Sequence, residues 1–337
     1  MKFLIFLTTL STIASLGAET VHTIPQGYTK ITVAATDAPG TTKLTAISAS
    51  LLQDVAFSGT ATLGAFTSVA GNQELSVAGV TWTNNQWTST APYVAYVSVA
   101  DDANNADGIA PAEEAFLILA NTDGGGLTLE TSFDLASRFP ADSSIKIRRA
   151  NTLDSFFGAA SANFGGNDIV YLWNGSDWDS FQYAGGQWTT IDDPFTNAGA
   201  ITLVHPDEGV FVSRAETSPI VVTLFGEVPS APQIATITGV SFVASRFPIA
   251  TTLSDLGIAT ANWTGNDVLY IWNPEASPTP TWDSYQFNGG QWTTVNDPFT
   301  SVDNTLIQAN SAVFVSRTAN VSGEDGGTTA TLPYTIE

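Results

Sequence analysis

One module occurs twice in this chain, and that repeat constrains the fold more than any other feature. Residues 137–214 contain SRFP, GNDIVYLWN, WDSFQY-AGGQWTT-IDDPFT and VFVSR; residues 245–317 contain SRFP, GNDVLYIWN, WDSYQF-NGGQWTT-VNDPFT and VFVSR. A repeat of this length means that one folded unit was copied and kept. The copies differ in length where the sequence reads as turns. Copy one carries DSSIKIRR (142–149) after its SRFP, and copy two carries PEASPTPT (274–281) where copy one has GSD. Insertions are tolerated in such segments because loop-closure entropy grows slowly with length.

Inside the module, Ile169, Tyr171 and Trp173 alternate with Val170 and Leu172, so both faces are apolar and a central, two-sided strand is predicted. Strands at 178–184 and 187–190 flank Gly185-Gly186, a two-residue hairpin signal repeated at Gly289-Gly290. Two more strands are predicted at 210–214 and 221–225. Short helical stretches are confined to 153–160 and 253–259. Ahead of the module, strand-like stretches at 28–35, 53–63, 73–83, 93–99, 115–120 and 127–131 are separated by Gly- and Asn-rich turns. These boundaries predict three units, 19–134, 135–229 and 240–337, with VPSAPQ (228–233) as a short linker. The expected fold is all-β: tandem antiparallel β-sandwich or barrel modules with short turns and little helix.

The first residues, Met1-Lys2 followed by an apolar run and then Gly17-Ala18, read as a secretory signal peptide over 1–18. The expected location is therefore secreted or associated with the cell surface. The chain has no cysteine, so core burial must stabilise it without disulfides. Its formal net charge is −22, and removal of Lys2 makes it −23. Such a chain repels nucleic acid and anionic membranes. Between Lys43 and Arg138 there is no basic residue, so no basic patch can form there. The expected partners are an extracellular protein or polysaccharide, with no nucleic acid and no membrane embedding.

Four of the few basic residues fall at matched places in the repeat: Arg138 with Arg246, and Arg214 with Arg317. They could clamp an anionic ligand. The preferred reading is structural ion pairs to Asp168, Asp267, Asp193 and Asp297, because a planar guanidinium bridges strand ends well and such a pair is copied with the fold. Asp193-Pro194-Phe195 and Asp297-Pro298-Phe299 read as turn formers. The retained tryptophans are mainly expected in cores or cross-strand pairs. Trp178, Trp188, Trp282 and Trp292 have polar neighbours and are the candidates for a ligand platform that stacks on sugars. Trp82 and Trp87 suggest a similar hairpin pair.

Catalytic raw material is sparse. His22 and His205 are the only histidines, and neither a cysteine nucleophile nor a Ser-His-Asp set can be assembled. A hydrolase built on paired carboxylates is the remaining enzymatic option, but no position marks it. No metal site and no cofactor are expected. The acidic stretch 101–108 fails the EF-hand register, because taking Gly108 as the loop glycine puts Ala103 at the first ligand position. An irregular calcium-binding turn there is the alternative to a solvated loop.

The chain resembles a group of exported β-rich proteins of Verrucomicrobia and related bacteria. The resemblance rests on GYTKITV (27–33), FSGT (57–60), the TL–FF stretch (152–157), VYLWN (170–174), the WDSFQY-GGQW hairpin (178–188) and EGVFVSR (208–214). It implies an all-β fold and an extracellular or surface setting, and it carries over no catalytic residue. Copy two departs from the pattern, reading NSAVFVSR where copy one has Glu208-Gly209. The sequence thus predicts a non-enzymatic protein with a structural or adhesive role. Carbohydrate binding through repeat-equivalent aromatics is the alternative.

Overall fold

Six strands alternate apolar and polar residues and close on themselves. Their order around the ring is Glu113–Asn121, Tyr93–Ser98, Asp142–Arg149, Val55–Thr67, Asn72–Val77 and Gly126–Glu130, and the last pairs back to the first. This is a computed structural model that describes residues 25–99, 110–237, 239–258, 263, 266–276, 279–317 and 327–330. The fold is all-β, with one short α-helix, Leu153–Phe157, among the described residues. The segment 1–18 expected to be a signal peptide, His22 and the acidic stretch 101–108 lie outside the described residues.

Period-two alternation fills the barrel. Ala61, Leu75, Val77, Ala95, Val97, Ile118, Leu127, Leu129, Ile145 and Ile147 form its buried core. Trp82 and Trp87 join that core with ring centroids 5.6 Å apart, edge to face. The segment carrying them is a turn, so the expected hairpin pair is instead a plug for the barrel.

The two copies form sheets of matching order. Copy one runs Gln187–Thr190, Trp178–Ala184, Ile169–Trp173, Gly209–Arg214 and Lys43–Ser48. Copy two runs Asp297–Ser301, Gln291–Thr294, Thr281–Asn288, Val268–Asn273, Ala312–Ser316 and Val240–Ala244. Lys43–Ser48 is therefore copy one's first strand, the counterpart of Val240–Ala244. Each pairs antiparallel with the VFVSR strand of its copy, through Ile47↔Val210 and Val243↔Val313. The barrel, residues 55–149, is inserted between copy one's first strand and the rest of that copy. Leu52 and Ala150, at the two ends of the insertion, share one buried cluster with Val94, Tyr96 and Ala115.

This topology corrects several sequence expectations. DSSIKIRR is not a turn insertion but the barrel strand Asp142–Arg149, with Ile145 and Ile147 inside. The SRFP match at 137 and 245 is not a structural equivalence. Arg138 ends a 3-10 turn in the barrel unit at φ −124°, whereas Arg246 follows Val240–Ala244 after one intervening residue, Ser245, at φ +67°. The supposed linker leads straight into a strand, Gln233–Thr236, which runs parallel to Glu113–Asn121 through Gln233↔Glu113. Gln26–Val33, assigned from sequence to the first unit, pairs along its whole length with Ile220–Glu227. That ladder covers copy one's core through Ile31, Val33, Ile220, Val222 and Leu224.

The copies pack face to face. Phe211 and Phe242 stack at 4.6 Å with a 13° interplanar angle, and Trp173, Trp178, Trp272, Trp282 and Phe314 surround them. Trp173 Nε1 donates to Val240 O at 2.9 Å, and Trp272 Nε1 donates to Leu44 O at 2.9 Å. Each copy thus caps a carbonyl on the other copy's edge strand, in a reciprocal arrangement that protects both edges. Gly209 makes the close approach possible, since a Cβ there would lie 2.3 Å from Ala312 Cβ and 2.6 Å from the Phe242 ring. Among the described residues, no helix is long and apolar enough to cross a membrane.

Candidate functional site

The residues singled out from the sequence separate into three groups. Trp188 and Trp292 are fully buried in the cores of copies one and two, against Phe157 and Phe164 in the first case and Trp263 and Phe287 in the second. The expectation that they form a ligand platform is overturned. Alternation on a short strand turns their rings inward, and a buried indole gains about 1.5–3 kcal/mol from leaving water. Trp178 and Trp282 are half-buried and lie in the aromatic seam between the copies, each within ring-contact distance of Phe211 and Phe314. They do not form a flat exposed row. Trp178 also lines an outer groove of about 600 Å³ with Ile191, Asp193 and Ile201.

Two of the expected ion pairs are present. Arg214 Nη1 donates to Asp168 Oδ2, both side chains being buried, and Asp168 also accepts from Gly165 N and Ala215 N at 2.7 Å each. Arg317 lies 3.7 Å from Asp267 in the same place in copy two. The other two arginines pair differently. Arg138 Nη1 donates to Glu114 and Thr236 Oγ1, and its guanidinium lies 4.3 Å over the Phe133 ring. Arg246 is buried and donates to Gln233 O at 2.6 Å and Leu256 O at 2.9 Å. Burial lowers its pKa to about 10.

Asp193 and Asp297 are turn residues rather than ion-pair partners, because each sits at an exposed hairpin end facing backbone amides. Their Oδ1 atoms accept from Phe195 N and Phe299 N at 3.1 Å, and their own amides donate to Thr190 Oγ1 and Thr294 Oγ1 at 3.0 Å. Hydrogen bonds from the Thr196 and Thr300 side chains, then from backbone amides, hold both carboxyls below the usual range.

Another cavity lies where the barrel meets both copies. It is a cleft of about 570 Å³. The barrel contributes Glu114 and Glu130 with Ser132 and Phe133, copy one contributes Trp173 and the His205–Glu208 loop, and copy two contributes Ser241 and Phe242. Burial raises the Glu114 carboxyl in spite of Arg138 beside it. Burial also raises Asp207 well above its usual range. Glu208 rises to about 7, first through desolvation by the surrounding protein and then through the charge of Glu130, although its side chain still reaches solvent through the cleft. His205 is held down to about 4 by burial, and its Nδ1 accepts from Asp207 N at 3.3 Å, which fixes a neutral imidazole.

Among the described residues, no three His, Asp or Glu side chains converge as a metal site. The cleft instead combines spaced carboxyls, hydroxyls and aromatic walls, which suits hydrogen bonding to a polar organic molecule. Sequence reading missed it because its residues come from three parts of the fold that are far apart in the chain. The one available signal was the Glu208-Gly209 pair that copy two lacks. No family model, curated protein or solved structure matches this chain.

Proposed function

We propose that this chain is a secreted, non-enzymatic β-protein with a structural or adhesive role at the cell surface or in the extracellular matrix. One observation carries the reading. Phe195 and Phe299 occupy the same place in the two copies and are 88% and 87% exposed. Beneath each, an Asp carboxylate accepts from the ring residue's amide at 3.1 Å, and Ile191 and Val295 are also exposed. A core role does not account for a copied aromatic that buries almost nothing. Two rigid apolar tips on one chain are instead suited to gripping a matrix at two points, where a second contact multiplies affinity. The high negative charge and the resemblance to exported β-rich proteins support the same setting.

The test is co-sedimentation of the mature chain with the insoluble envelope and matrix fraction of the cells that export it. The wild type should sediment, and Phe195→Ser with Phe299→Ser should remain in the supernatant with an unchanged circular dichroism spectrum. A double variant that sediments like the wild type overturns the adhesive reading. Hydrolysis of nitrophenyl glycosides that disappears in Glu208→Gln would overturn the non-enzymatic one.

A further inference from the structure

We propose that the cleft between the barrel and the two copies binds a neutral saccharide. This site is separate from the Phe195 and Phe299 tips and does not rest on the adhesive reading.

Position is the first argument. Ligand sites form at junctions between folded units, and about 570 Å³ falls within the usual range for small-molecule pockets of roughly 300–1,000 Å³. The cleft is assembled only when barrel, copy one and copy two are all in place, so its shape is fixed by three rigid parts. The aromatic seam and the ladder between Gln233–Thr236 and Glu113–Asn121 hold those parts together.

The lining chemistry selects the ligand class. Trp173, half-buried at the cleft, supplies apolar ring surface of the kind that packs on the C–H face of a sugar, whereas Phe133 and Phe242 are buried. Ser132, Ser241, Asn174, Glu130 and Glu208 supply donors and acceptors set around the space rather than at one point. A pyranose presents hydroxyls around its whole rim and fits that spacing. The titratable groups of the lining are Glu114, Glu130, His205, Asp207 and Glu208. Arg138, the cation nearest Glu114, is already engaged by it and by Thr236. Arg246, which also acts on Glu114 and Asp207, is buried and hydrogen-bonded to Gln233 O and Leu256 O, so phosphates, sulfates and uronic acids would meet repulsion with no exposed cation to answer it. A metal ion would require converging ligands, and among the described residues none converge.

The experiment is saturation-transfer NMR and titration calorimetry on the full mature chain. The probes are the methyl glycosides of glucose, galactose, mannose and fucose, plus cellobiose, with spermidine and calcium chloride as charged controls. At least one neutral sugar should bind. Ser132 is exposed on the barrel wall, so Ser132→Trp can fill the cleft without disturbing the core, and it should weaken that binding by at least about tenfold. Glu208→Lys provides a second block on the opposite wall and should act likewise. Phe195→Ser with Phe299→Ser should bind the sugar as the wild type does, which separates this site from matrix attachment. The proposal is overturned if no sugar in the panel binds, if binding survives both cleft variants, or if only spermidine or calcium binds.

Discussion

Replacing Asp168 by Asn tests whether the copied ion pairs hold the modules together. The side chain is fully buried and both oxygens are committed: Oδ2 accepts from Arg214 Nη1 and Gly165 N, and Oδ1 accepts from Ala215 N. Asn is nearly isosteric, but its NH2 group must face a donor whichever way the amide turns. The cheaper orientation sets it against Ala215 N and loses one backbone bond. Arg214 keeps its bonds to Asn163 O and Ser218 O but loses its counter-charge in a buried site. Removing one partner of a buried pair costs about 3–5 kcal/mol. An orphaned amide adds about 1–3 kcal/mol where it cannot relax. We therefore expect a loss of about 4 kcal/mol in urea unfolding. Hydrogen exchange should localise it to the sheet containing Gly209–Arg214, with Ala312–Ser316 of copy two as internal reference. Asp168→Leu with Arg214→Met should recover most of that loss, since the uncompensated charge is gone. A loss under about 1 kcal/mol for Asp168→Asn, the range of an exposed ion pair, would refute the reasoning.

Four further outcomes follow from the seam and the cleft. Gly209→Ala should destabilise by about 1–3 kcal/mol in denaturant titration through overpacking, and Ala312→Gly in the same chain should restore part of it. Trp173→Phe and Trp272→Phe should each cost about 0.5–1.5 kcal/mol for the lost indole bond, read by thermal melts. His205 is neutral when folded, with a pKa near 4, and takes a proton near about 6.5 when unfolded. Its contribution is complete above pH 6.5 and is lost as pH falls toward 4, up to about 3 kcal/mol. Urea titrations across that window should show a flatter acid limb for His205→Gln. The raised Glu208 acts in the opposite sense: its own contribution is lost as pH rises from about 4.5 to 7, and Glu208→Gln should remove that component of the pH dependence.

The sequence made the module interior readable and its surroundings hard to read. Alternation in 169–173 and the Gly-Gly hairpins correspond to Ile169–Trp173, Val268–Asn273 and the strands that follow them. Scarcity of cations and matched spacing pointed to four arginines and four candidate aspartates, and only the structure assigns Arg214 to Asp168 and Arg317 to Asp267. Copy one's first strand was hidden because KLTAIS has no residue in common with its counterpart VSFVA at the paired positions, and because a barrel separates it from its partners. The SRFP match misled because a four-residue identity carries no information about backbone conformation. Polar neighbours suggested that Trp188 was exposed, but on a strand they mark the opposite face and say nothing about the tryptophan's own. The cleft was illegible because no stretch of sequence contains it.

The insertion also fixes an order of events as the chain emerges from its amino end. Lys43–Ser48 appears early, yet its ladder partner Gly209–Arg214 follows roughly 160 residues later. The barrel can close in the interval, and its two ends, anchored at Leu52 and Ala150, then bring the waiting segment beside the rest of its sheet. What reads as an interruption of copy one thus becomes the clamp that shortens one of its long searches. Such a guest, entering and leaving at neighbouring points, could be excised without cutting any ladder inside its host sheet.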